Sequence, residues 1–214
     1  TAATSEETGT DITGSYEFDF DNGWELAKAY SRNGNNLPSI SKDGDKNVLE
    51  MNSENNKVFA RLPFKLETGM TYKYTISYRV ASKGESSDGK STTLMKLISA
   101  GDNDDHTSLV RALSTRSLSI PISWRSLEVN SEYTTVSGSF KATDTLVTDE
   151  YKYLTLSYET NKDFQQKIYI DKITVESEKT PEVMPDVTGS YEFNFDNPSE
   201  LAKAYSRNGN NLPS

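Results

Sequence analysis

Residues 71–80, TYKYTISYRV, alternate strictly between two kinds of side chain. Tyr72, Tyr74, Ile76, Tyr78 and Val80 fall on one side, and Lys73, Thr75, Ser77 and Arg79 on the other. A period of two is the signature of a strand with one apolar and one polar face. The same reading applies to 16–21, where Tyr16, Phe18 and Phe20 alternate with Glu17, Asp19 and Asp21. Further short strands are expected at 46–51, 57–64, 91–100, 133–140, 151–159 and 167–175. Segments rich in turn residues separate them, at 32–38, 41–45, 82–90, 101–105 and 143–149. Helical character is confined to 25–30 and 107–113. About eight half-buried strands predict an all-β fold, a two-sheet antiparallel β-sandwich.

The charge balance narrows the partners. With 23 Lys and Arg against 32 Asp and Glu, the net charge is −9. Nucleic acid and anionic membranes both require basic patches, so neither fits. A neutral polymer or a cation suits the surface better. No apolar run approaches the roughly 20 residues needed to cross a bilayer, so no membrane insertion is expected. The absence of cysteine excludes a thiol nucleophile, a thiolate metal site and a disulfide framework. The opening residues 1–11, TAATSEETGTD, read as a flexible leader of the kind left after signal-peptide removal. They point to a secreted protein or one at a bacterial cell surface.

A long repeat organises the chain. Residues 11–39, DITGSYEFDFDNGWELAKAYSRNGNNLPS, return at 186–214 as DVTGSYEFNFDNPSELAKAYSRNGNNLPS, identical at 25 of 29 positions. A period of 175 residues is a whole domain, far longer than the roughly 20–50 residues of a solenoid repeat. The expected organisation is a leader at 1–11, one sandwich domain at 12–176, and an acidic, proline-bearing linker at 177–186. The start of a second tandem copy, cut short, follows at 187–214. That tail carries Tyr191, Phe193 and Phe195 on one face and is expected to dock on a neighbouring molecule by strand exchange, because an isolated strand is unstable.

The order of signals resembles the jelly-roll carbohydrate-binding modules of families 4, 9 and 22. The resemblance rests on FDFDNGW (18–24), LETGMTYKYTISYRV (66–80), SEYTTVSGSF (131–140), YLTLSYET (153–160) and IYIDKITVE (168–176). It departs from the family at Tyr133, where many members carry tryptophan, and in a longer loop at 114–124. The resemblance implies a non-catalytic module that binds a β-glycan of the xylan, mixed-linkage glucan, mannan or cellulose type. It also implies an attached glycoside hydrolase in the parent chain. The alternative from another class is a structural or adhesive tandem repeat of a bacterial surface protein.

Sugar recognition needs aromatic faces beside hydroxyl-binding polar groups. Tyr72, Tyr74 and Tyr78 belong to the apolar register and are expected in the core. The polar registers offer Lys73, Thr75, Ser77 and Arg79 on one strand, and Tyr153, Thr155, Ser157 and Glu159 on another. On one shared sheet, Arg79, Tyr153 and Glu159 would line a groove; a plain solvated sheet face is the alternative. The resemblance to family 22 makes Glu159 a ligand contact. Trp24 and Trp124 are the largest stacking surfaces, and Trp24 becomes Ser199 in the second copy, which argues for a role outside the core. Arg32 is a candidate donor to sugar hydroxyls. The resemblance further implies a structural Ca2+, for which Glu17, Asp21 and Asp171 are the candidate ligands and Asp19 a weaker one. GDNDD at 101–105 lacks the spacing of a calcium loop and reads as a solvated turn. His106, the lone histidine, is expected in an exposed loop. No catalytic constellation accompanies it: there is no G-x-S-x-G and no glycine-rich phosphate loop.

Overall fold

The computed structural model describes residues 11–32, 34–54, 57–83, 93–119, 129–160 and 165–178. All of them lie in one compact unit, Thr1–Thr180. Trp124 and the expected second copy, 187–214, lie outside the described residues.

The strands are β1 (Tyr16–Phe18), β2 (Lys28–Tyr30), β3 (Ser39–Asp43), β4 (Lys46–Glu54), β5 (Lys57–Lys65), β6 (Thr71–Lys83), β7 (Thr93–Ala100), β8 (Ser117–Ser119), β9 (Thr134–Lys141), β10 (Tyr153–Thr160) and β11 (Gln165–Glu178). One helix, α1 (His106–Thr115), separates β7 from β8. The six-stranded sheet runs β3-β4-β11-β6-β9, with β1 added to β11, and the five-stranded sheet runs β2-β5-β10-β7-β8. Every pairing between strands is antiparallel. From β4 to β7, and again from β9 to β11, successive strands switch sheets, which is jelly-roll connectivity.

Alternation explains the core. Tyr72, Tyr74, Ile76, Tyr78 and Val80 of β6 are buried, as are Ile168, Ile170, Ile173 and Val175 of β11. They meet Val58, Ala60, Leu62 and Phe64 of β5, and Leu154, Leu156 and Tyr158 of β10. Gly138 in β9 pairs with Tyr74, and the phenol lies so close that a Cβ at 138 would meet its oxygen at 2.4 Å. The glycine therefore makes room for the tyrosine ring.

Four expectations change. Residues 25–30 are not helical: a 3-10 turn at Gly23–Glu25 is followed by β2, which pairs along β5. Backbone pairing to a sheet edge outweighs a six-residue helix, which is too short to be stable alone. Residues 41–45 are not simply a turn, because β3 runs to Asp43 and reverses at Gly44, whose φ is 62°. His106 opens α1 rather than sitting in a loop. Its Nε2 lies 3.0 Å from the Lys57 carbonyl oxygen and its ring packs edge-on to Phe59. GDNDD is the largely exposed turn expected, at Asp102 and Asn103, and its Asp105 caps α1 by accepting from the Ser108 amide at 2.7 Å. The last strand also runs to Glu178, two residues into the expected linker.

Candidate functional site

The two sheets treat their outer faces differently. On the five-stranded sheet, the outward register comprises Phe59 and Arg61 of β5, Tyr153, Thr155 and Ser157 of β10, and Ile98 and Ala100 of β7. α1 lies across it. Leu109, Ala112 and Leu113, spaced three and four apart, pack on Phe59, Ile98 and Ala100 as a second small core. Beneath the helix Thr155 and Ser157 are 0% and 2% exposed.

The end of that face near residue 153 is closed as well. Arg61 is 7% exposed; its guanidinium donates to the Gly101 carbonyl at 3.0 Å and stacks 4.3 Å from the centre of the Tyr153 ring. Tyr153, 6% exposed, donates to Asp11 at 3.3 Å. At the far end Glu159 is ion-paired with Lys57 at 3.2 Å.

Among the described residues no helix lies across the outer face of the six-stranded sheet. Arg79 of β6 forms a two-point ion pair with Asp43 of β3, Nε to Oδ2 at 2.7 Å and an Nη to Oδ1 at 2.5 Å. Tyr133 donates to Asp43 Oδ2 at 2.6 Å. The Arg79 guanidinium lies 5.0 Å from the ring of Tyr169 and 5.8 Å from that of Tyr133, and Lys46 lies 4.7 Å from Tyr133. Donation from Arg79 is the main cause that lowers the Asp43 carboxyl to about 2. The same pair holds Arg79 firmly protonated, and burial, reinforced by Asp43, raises the Tyr133 phenol above its ordinary value. Asp43 is thus a fixed anion and Tyr133 a fixed donor at neutral pH.

Further along the face, β6, β9 and β11 enclose a depression of about 340 Å³. Its walls carry the hydroxyls of Thr75, Thr174, Ser137 and Ser139, with Lys73 and Glu176 supplying opposite charges. Thr75 and Thr174 are hydrogen-bonded to each other, and Lys73 is ion-paired with Glu178. Hydroxyls that both donate and accept suit a neutral polyol.

The expected groove is therefore corrected. Arg79 lies on one sheet, whereas Tyr153 and Glu159 lie on the other, so the three do not converge. Trp24 is half-buried in the 3-10 turn, 6.1 Å from the ring of Tyr16. Arg32 is exposed in the turn after β2. Tyr169, Asp43 and Tyr133 were not singled out as site residues. Tyr169 was legible: in IYI it sits in the outward register between Ile168 and Ile170. Asp43 was not, because its partner Arg79 is 36 residues away.

The candidate calcium ligands carry nitrogen donors instead. Lys172 holds Glu17 at 2.8 Å, Lys46 holds Asp171 Oδ2 at 2.8 Å, and the Asn47 amide donates to Asp21 at 2.8 Å. Among the described residues no three His, Cys, Asp or Glu side chains converge where they could hold a metal ion. These residues do not fit calcium.

No family model and no curated protein matches the chain. Solved structures similar to it include the CBM22-1 xylan-binding domain from Paenibacillus barcinonensis Xyn10C, at 10% identity, 77% of this chain, 94% of that chain and a TM-score of 0.48. The K1 cleaved adhesin domain of Lys-gingipain from Porphyromonas gingivalis is similar at 14% identity, 77% and 98% coverage, and 0.47. The xylan-binding module CBM15 follows at 10%, 75% and 94%, and 0.45. Likenesses of this size do not assign a ligand.

Proposed function

We propose that this chain is a non-catalytic polysaccharide-binding module that engages a neutral β-glycan on the outer face of its six-stranded sheet. It acts outside the cell, holding an attached glycoside hydrolase close to its substrate. The observation that carries this reading is the make-up of that face. Tyr169 and Tyr133 flank a guanidinium fixed by Asp43, and a hydroxyl-lined depression lies on the same sheet. Aromatic faces stack on pyranose C–H surfaces while the fixed polar groups read hydroxyls. Tandem copies would raise a weak single-site affinity through avidity, by about 10²–10⁴-fold where geometry permits.

Calorimetric titration with xylan, mixed-linkage glucan, mannan and cellulose oligosaccharides tests this reading. Saturable binding to one of them, weakened about tenfold in Tyr169→Ala, supports it. Silence across the panel favours the adhesive or structural repeat, a reading that the 25-of-29 duplication also suits.

A further inference from the structure

The turn between β3 and β4 sets a lysine over the aromatic end of the six-stranded face. β3 ends at Asp43, the chain reverses at Gly44, and Lys46 opens β4 directly opposite Asp43. Lys46 Nζ lies 4.7 Å from the centre of the Tyr133 ring and 2.8 Å from Asp171 Oδ2. The phenol of Tyr133 is held by Asp43 at 2.6 Å, which keeps the ring in place. The ammonium therefore stands against an aromatic ring that could otherwise stack on a pyranose.

Beneath it lies an acceptor without a donor. β11 is irregular here, because Ile170 pairs with Tyr78 and Lys172 with Ser77, which leaves Asp171 as the extra residue of a bulge. A bulge re-aims the side chain it carries. The Asp171 side chain is only 13% exposed, and its Oδ1 is buried with no hydrogen-bond partner among the described residues. Leaving a buried carboxylate oxygen unpaired is costly, so such an atom is a natural target for a donor from a ligand. A sugar hydroxyl is a donor of that kind, and its bond to a carboxylate is charge-assisted.

The two cations of this cluster differ in how firmly they are held. Arg79 is fixed at two points by Asp43, with both side chains half-buried. Lys46 is 60% exposed on a flexible four-carbon stem, and ion pairs of that exposure are weak. Lys46 is thus the group that can leave.

We propose that Lys46 is a displaceable plug on the glycan site and that Asp171 is a glycan-binding residue beneath it. An incoming pyranose takes the place of the ammonium against Tyr133, and its hydroxyls donate to the uncovered Asp171 carboxylate. This deepens the reading given above and rests on it.

The test titrates the same oligosaccharide panel against the full chain and three variants, Lys46→Ala, Asp171→Asn and the two combined. Lys46→Ala should bind about fivefold more tightly than the parent, with Tm within about 2 °C because the side chain is exposed. Adding Asp171→Asn to Lys46→Ala should then cost about tenfold, as for the loss of a hydrogen bond to a charged group. Raising salt from about 0.02 M to 0.5 M should tighten binding by the parent about twofold, by screening the plug's ion pair, and should not affect Lys46→Ala. A purely structural lysine would shift Tm without this salt response. Equal or weaker binding by Lys46→Ala overturns the plug. A double variant that binds as tightly as Lys46→Ala overturns the role of Asp171. Silence from both the parent and Lys46→Ala removes the glycan-binding reading itself, whereas binding by Lys46→Ala alone supports the plug.

Discussion

β6 and β10 carry nearly the same outward signature, Thr75 and Ser77 on one and Thr155 and Ser157 on the other. Their fates are opposite. On the six-stranded sheet both side chains stay partly exposed, and Thr75 lines the depression between β6, β9 and β11. On the five-stranded sheet they are buried beneath α1. Polar alternation thus names the face of a strand away from the core, and a covering element decides whether that face is wet. Little in the sequence signalled the cover: β5 is buried in both registers from Val58 to Phe64, yet its outward register reads Lys57, Phe59, Arg61, Pro63 and Lys65.

Removing the cover should have the largest effect. Leu109 is fully buried in the seam between α1 and the sheet. Leu109→Ala should destabilise the fold by about 3 kcal/mol, lowering Tm by about 6–12 °C in a calorimetric scan. An unchanged Tm would mean that the helix does not seal the sheet. The next effect belongs to the six-stranded sheet. Gly138→Ala drives a methyl into the Tyr74 ring and should cost about 1–3 kcal/mol, read from a urea titration. A neutral outcome would show that Tyr74 has room to move.

Tyr169→Ala sharpens the contrast by separating binding from stability. It should weaken glycan affinity about tenfold, as expected for one stacked ring, with Tm held within about 2 °C. A large Tm loss instead would make Tyr169 a structural residue. The smallest effect is the pH response of Asp43. Its folded carboxyl is lowered from 3.8 to about 2, so the folded state holds its proton less tightly than the unfolded chain. The stabilisation is therefore full above pH 3.8 and fades as pH falls toward 2. Asp43→Asn should flatten the stability profile in that window, and an unaltered slope would show that the Arg79 pair contributes nothing there.

Much of the fold was legible because its causes are local. Alternation in β6, β10 and β11 placed Tyr72, Tyr74, Tyr78, Leu154, Leu156, Ile168 and Ile170 in the core, and the turn residues divided the strands. α1 was visible in the spacing of Leu109, Ala112 and Leu113. The site was legible residue by residue but not as an assembly. Arg79, Tyr153 and Glu159 each face outward as expected, yet sequence carries no record of which sheet a strand joins. That choice depends on pairing between segments up to 162 residues apart, such as Ser15 with Ser177. The repeat at 186–214 is the clearest case of the division. Sequence alone shows that the chain carries one segment twice. The tertiary structure shows that the first copy, residues 11–39, joins both sheets through β1 on β11 and β2 on β5, because Phe18 and Phe20 reach the core only through partners brought there by folding.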